Sequence, residues 1–307
     1  MANKTLSIYS ALVADVLIAI TKFIAGGYTN SSSMISEGIH SLVDTANQLL
    51  LLYGVKKSQK PADKARPFGY GKELYFWSFI VSILIFGLGG GLSIYQGILH
   101  ILHPEPLTNP SWNYIVLAFS FVFDGISFII AIRQFNKARG DLPFWKAVIK
   151  SKDPSTFVVL FEDGAAVLGL MIVFLFMLFN QFLNMPVLDG IASVLVGLLL
   201  IFVSLILARE SRSLLMGEGI TPETRQKIKD LVERDETVVK VSNILSTYQS
   251  PDEIILMLLI KFKPDLDTAE IGNAIDRIRG VIKDTFTLVE FVLIQPHGNE
   301  PPQINTT

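Results

Sequence analysis

The 307-residue chain has no cysteine, which removes disulfide staples and thiolate metal sites from consideration. Charge is sparse. Asp, Glu, Lys and Arg make up only 18% of the residues, the formal net charge is −2, and no basic stripe of the kind that tracks nucleic acid is present. There is no nucleophile–base pair and no nucleotide loop. The glycine-rich run Gly87-Leu88-Gly89-Gly90-Gly91 is apolar and lies inside a hydrophobic segment, unlike a loop that cradles phosphate. These absences argue against a nucleic-acid binder and against an enzyme. The opening residues MANKTLS show no signal-peptide cleavage pattern, so the first apolar segment is expected to be retained.

What the chain has is apolar length. Half of it is hydrophobic and its mean hydropathy is +0.46, which points to a multi-span membrane protein. Six segments, 6–26, 33–55, 74–102, 112–132, 155–179 and 187–208, each have roughly the twenty residues a helical crossing needs. The loops after the second and fourth segments hold six Lys or Arg each, from Lys56 to Lys72 and from Arg133 to Lys152, and Arg209 and Arg212 follow the sixth. The remaining loops carry none, so the positive-inside rule places both termini in the cytoplasm.

Ionisable residues inside such segments are costly and usually functional. His40 and Asp44 lie four apart in the second segment, which puts an imidazole and a carboxylate on one helix face. Glu162 and Asp163 lie at comparable depth in the fifth. Together they suggest one shared site for a divalent cation, the alternative being a polar helix–helix contact in which His40 bonds a carboxylate. Glu162 is about 100° round the helix from Asp163 and need not face the same site. Asp15 and Lys22 share a face of the first segment. Asp15 is either neutral or paired, or part of an ion path, and Lys22, near the outer end, is expected to snorkel. Asp124 in the fourth segment is either a hydrated carboxylate beside the path or a packing contact. His100, His103 and Glu105 end the third; an interfacial anchor explains them more simply than a metal site. Gly87, Gly89, Gly90 and Gly91 predict close helix approach.

After residue 212 the character changes. Residues 213–307 hold ten Lys or Arg against fifteen Asp or Glu, a net −5, leaving +3 for the rest. Thr221-Pro222-Glu223 starts a helical pattern, 238–249 and 253–263 read as strands about a Ser250-Pro251-Asp252 turn, 267–286 is amphipathic helix, and 288–296 is a third strand. The expected architecture is an all-α bundle of six transmembrane helices over 1–212 and an α+β domain of order αββαβ over 213–298, with a disordered tail over 299–307.

The sequence resembles the cation diffusion facilitator, or cation efflux, family of divalent metal transporters along nearly its whole length. The likeness rests on His40-Ser-Leu-Val-Asp44, on Pro67-Phe-Gly-Tyr-Gly-Lys-Glu73, on Glu162-Asp163-Gly-Ala-Ala166, and on the six-span-plus-αββαβ layout. The resemblance implies a homodimer with ferredoxin-like, metallochaperone-like cytoplasmic domains. It also implies export of a divalent metal, zinc foremost, by alternating access in exchange for protons, with no prosthetic group. Carried over by position, the metal ligands are His40, Asp44 and Asp163, with Glu162 as a fourth. Where many members have a fifth-span His, this chain has Val159. If Glu162 faces elsewhere, water, Asn47 or Asp124 completes the shell. Asp63 is kept in the loop before the third span, but Arg66 and Tyr70 stand where His residues are common. In the last domain, Asn243, Leu258 and Ile294 lie near the family's zinc positions and His297 is the only His. No metal is expected at either place.

A His-plus-carboxylate set suits Zn²⁺ and also Mn²⁺, Fe²⁺, Co²⁺ or Cd²⁺, and it disfavours Ca²⁺ and Mg²⁺, which prefer all-oxygen shells. The competing functional class is a non-transporting membrane scaffold or regulator that acts through its cytoplasmic domain.

Overall fold

In a computed structural model of the chain, residues 2–109, 111–140, 142–144, 147–148 and 152–297 are described. The tail 299–307 and the basic-loop residues Lys146 and Lys150 lie outside them. The chain divides into two compact units, Met1–Lys57 with Glu73–Arg212, and Ser58–Lys72 with Ser213–Thr307. The basic loop between the second and third segments therefore groups largely with the C-terminal part.

The first unit is helical. Its elements are α1 (Ala2–Thr29), α2 (Ser32–Ser58), α3 (Lys72–Leu84) continuing through a π-helical stretch (Ile85–Gly91) into α4 (Leu92–Leu102), α5 (Ser111–Arg139), α6 (Pro154–Leu183) and α7 (Val187–Leu215). Among the described residues, four helical stretches are long and apolar enough to cross a membrane: Lys72–Leu102, Ser111–Lys137, Pro154–Leu183 and Val187–Leu215. Helices α1 and α2 are comparably long, at 28 and 27 residues. Large apolar residues such as Ile24, Phe119, Phe182 and Phe202 point outward, as a lipid-facing surface requires. Helix α6 begins where Asp153 caps the Ser155 N–H and Pro154 occupies the first turn, and it ends on Asn184 in the left-handed region at φ 51°.

Only part of the glycine cluster makes the expected close approach. A Cβ on Gly90 would lie 3.0 Å from the Gly197 carbonyl, and one on Gly97 would lie 2.7 Å from that of Gly190, whereas Gly87 has open space. Two glycines seven apart on each helix thus bring α3–α4 and α7 together backbone to backbone. Ser193 Oγ reinforces this contact by donating to the Ser93 carbonyl at 2.8 Å.

The second unit has the order α8 (Pro222–Val232), β1 (Val238–Ser250), β2 (Glu253–Phe262), α9 (Thr268–Thr285), β3 (Val289–Pro296). The sheet order is β1-β2-β3, with β1 antiparallel and β3 parallel to the central β2. The parallel pair needs a crossover, and α9 supplies it from an Asp267–Glu270 capping box. Thr221 caps α8 ahead of Pro222. The apolar run of β2 follows from its central place: Ile254, Ile255, Leu256, Leu258, Leu259 and Ile260 are all buried. One row, Leu245–Met257–Leu293, crosses the sheet exposed.

Candidate metal centre

Helix α2 is held at its N-terminus by Asp189 of α7. The fully buried carboxylate accepts five hydrogen bonds, from the Ser32 and Ser33 backbone N–H groups and from the Ser31, Ser32 and Ser33 hydroxyls, at 2.5–3.1 Å. It thereby satisfies two of the free N–H groups of the first turn and complements the positive end of the helix dipole. Ser36 Oγ adds a hydrogen bond to Ser193 Oγ.

From that anchor a polar stripe runs down α2. Ser33, Glu37, His40, Asp44 and Asn47 follow one another at spacings of four and three, so they share one face. All but Asp44 are buried, and each meets a polar partner from another helix or from the stripe itself. Glu37 Oε2 receives Lys22 Nζ at 3.1 Å, His40 Nδ1 lies 3.5 Å from Asp44 Oδ1, and Asn47 Nδ2 donates to Glu162 Oε1 at 2.8 Å. Neither nitrogen of His40 has a hydrogen-bond partner, and Asp44 Oδ1 is likewise open.

The lower part of this stripe borders a cavity of about 910 Å³ among α1, α2, α5 and α6. Its ionisable lining is Asp15, Asp44, Asp124, Glu162 and Asp163. Ser127 of α5 donates to Asp163 Oδ2 at 2.7 Å and fixes that carboxylate at the wall. Of the four expected ligands, Asp44, Glu162 and Asp163 thus share one cavity, while His40 sits behind Asp44. Glu162 faces the same space as Asp163 despite the angle between neighbours on a helix. Val159 also lines the wall. Among the described residues no three His, Asp or Glu side chains are gathered tightly enough to chelate an ion on their own.

Lys22 corrects the sequence expectation. It does not snorkel: its side chain has no exposed surface, and its ammonium bonds Glu37 and Ser41 inside the helical unit. Sequence reasoning passed over Glu37 and Asp189 altogether. The four–three spacing of polar residues along α2 is the signal that would have found Glu37.

His100, His103 and Glu105 line a second, smaller cavity of about 340 Å³ together with Asn30, Ser31 and Ser32 at the other end of α2. His100 Nε2 is 3.9 Å from Asp189 Oδ2. In the second unit, Asp63 is engaged within its own loop: Tyr70 Oη donates to Oδ2 at 2.7 Å, and the Ala65 and Arg66 N–H groups donate to Oδ1. These bonds, Tyr70 first, hold its carboxyl below the usual carboxylate value. Arg66 lies over the Tyr70 ring at 4.6 Å. Leu258 is fully buried in the sheet core, and Asn243 Oδ1 accepts from the Ile244 N–H.

Long apolar helices around an acidic internal cavity are the architecture of an integral membrane protein. Residues 8–216 match the family model of the cation efflux transmembrane domain, and the chain belongs to the cation efflux, or cation diffusion facilitator, family, whose members are transporters and not enzymes. It is 39% identical over 240 residues to the proton-coupled zinc antiporter SLC30A9, mitochondrial, of Homo sapiens, an alignment covering 77% of this chain and 42% of that protein. It is 30% identical over 263 residues to metal tolerance protein C4 of Arabidopsis thaliana, covering 85% and 56%. To the manganese efflux system protein MneP of Bacillus subtilis it is 27% identical over 293 residues, 92% of each. The chain therefore spans about half the length, or less, of the first two relatives.

Proposed function

We propose that this chain exports a divalent metal cation, zinc foremost, in exchange for protons, binding it with His40, Asp44, Glu162 and Asp163. The observation that carries this reading is the meeting of Asp44 from α2 with Glu162 and Asp163 from α6 on one internal cavity, with His40 3.5 Å from Asp44. A pocket lined by several carboxylates, with no tightly closed ligand set among the described residues, suits a carrier, which must release what it binds. Metal ligation requires deprotonated ligands, so metal and protons compete for the same atoms and antiport follows. The names of the human and bacterial relatives support zinc and manganese as the first cations to test.

The proposed frame is six crossings over residues 1–212, with both termini and the α+β domain, 213–298, on the cytoplasmic side, as the basic loops suggest. The cavity is lined by the C-terminal half of α2 and the N-terminal turns of α6, so in that frame it faces the cytoplasm. A homodimer is the expected assembly, and the exposed Leu245–Met257–Leu293 row supports a second copy over the sheet.

The test is metal-driven proton flux in proteoliposomes for Zn²⁺, Mn²⁺, Fe²⁺ and Cd²⁺. Wild type should couple at least one of these ions to proton movement, and Asp44→Ala and Asp163→Ala should abolish the flux while folding normally. Unchanged flux in both variants would refute the site.

A further inference from the structure

Cargo binding gives the buried charge of Lys22 no role. Lys22 cannot ligate a cation, yet its ammonium is fully buried beside the cavity. Nζ has three oxygens around it: Ser41 Oγ at 2.8 Å and Glu37 Oε2 at 3.1 Å, both on α2, and Asp124 Oδ2 at 3.7 Å on α5. The two carboxylates differ. Asp124 lines the cavity. Glu37 is sealed in the packing, where its Oε1 has no hydrogen-bond partner and fits against Gly169 of α6, on which a Cβ would lie 2.7 Å away.

A buried ion pair stabilises a fold little better than apolar residues of the same volume, so packing alone gives weak reason for this one. Its geometry gives a better one. The ammonium stands between a carboxylate on the cavity wall and a carboxylate behind it, within reach of both.

We propose that Lys22 is a tethered internal cation that sets the cavity's affinity for divalent metal, and that Glu37 acts by holding it back. This rests on the cavity being the cargo site. With no metal bound, the ammonium partly neutralises Asp124 and the acidic field beyond it. When a divalent ion enters, Lys22 is repelled onto Glu37, and its return toward Asp124 favours release. Lys22 and Glu37 are positioning residues in this scheme, since neither touches the cargo.

The experiment is a calorimetric titration of the full-length protein in nanodiscs with Zn²⁺ and Cd²⁺, with thermal melting as the folding control. Lys22→Gln should tighten Kd by about tenfold or more and slow turnover in proteoliposomes, and Lys22→Arg should restore near wild-type affinity. Glu37→Gln should weaken Kd by a similar factor. The double variant is decisive. If Glu37 acts through Lys22, Lys22→Gln/Glu37→Gln binds as tightly as Lys22→Gln; if the two charges merely add their fields, it returns to wild type and the proposal is overturned. It is also overturned if Lys22→Gln leaves Kd unchanged or weakens it in folded protein, a comparison that stands even if Glu37→Gln does not fold. Wild type that binds metal through Asp44 but shows either result sinks this proposal alone. Wild type that binds neither metal sinks the cavity reading with it.

Discussion

Asn47 of α2 donates a 2.8 Å hydrogen bond to Glu162 of α6, and both side chains are buried. The helix bearing His40 and Asp44 is thereby tied to the helix bearing Asp163, one turn beyond the proposed ligand pair. An amide here orients a carboxylate without adding charge of its own.

Replacing Asn47 by Ala leaves a buried carboxylate short of a donor. The expected cost is about 1–3 kcal/mol, read as a lower thermal unfolding midpoint in detergent. Asn47→Asp, which sets a second carboxylate against Glu162, should cost more than Asn47→Ala in metal-free protein, and added Zn²⁺ should recover part of the loss. Equal midpoints for both variants with and without metal would contradict the assigned geometry.

Asp189 should matter more to the fold. It is the shared acceptor for five donors at the start of α2, so Asp189→Ala is expected to destabilise the helical unit by at least about 3 kcal/mol, and Asp189→Asn by roughly half as much because one carbonyl oxygen remains. Thermal melts of the two variants check both the size and the order.

Much of this was legible in the chain. Apolar length gave the helices, the four-residue spacing of His40 and Asp44 gave their common face, and the alternation of helical and strand patterns after residue 212 gave the order α8-β1-β2-α9-β3. Lys22 was misplaced because distance from the segment end suggested a snorkelling side chain, whereas its position is decided by a partner fifteen residues on, Glu37. Asp189 was invisible for a related reason. Its partners Ser31, Ser32 and Ser33 are more than 150 residues away, and no local pattern reports a helix N-terminus capped from another helix. Which face Glu162 takes also depends on packing, here on the reach of Asn47.

The second unit offers a pH test. Arg277 grips Asp235 with two bonds of 2.8 Å, Thr237 adds its hydroxyl and N–H, and together they hold the Asp235 carboxyl well below the usual carboxylate range. A lowered folded value means the unfolded chain takes up the proton first as pH falls. The stabilisation is therefore complete above about pH 5, begins to fade as the unfolded carboxyl takes up its proton, and is gone once pH drops through the folded value. Protection factors of β1 amides in the full chain should fall between about pH 5 and 3, and Asp235→Asn should show lower protection at pH 6 with a flatter acid dependence. Parallel pH profiles for the two proteins would contradict this account.

The central claim is that α2 and α6 face one ion. Anomalous difference density from crystals soaked in Cd²⁺ or Zn²⁺ tests it most directly. The account predicts one strong peak in the cavity, within about 2.0–2.4 Å of an Asp44 oxygen and of an oxygen from Glu162 or Asp163, and its loss in Asp44→Ala. A cavity without density, alongside metal bound elsewhere in the helical unit, would contradict it.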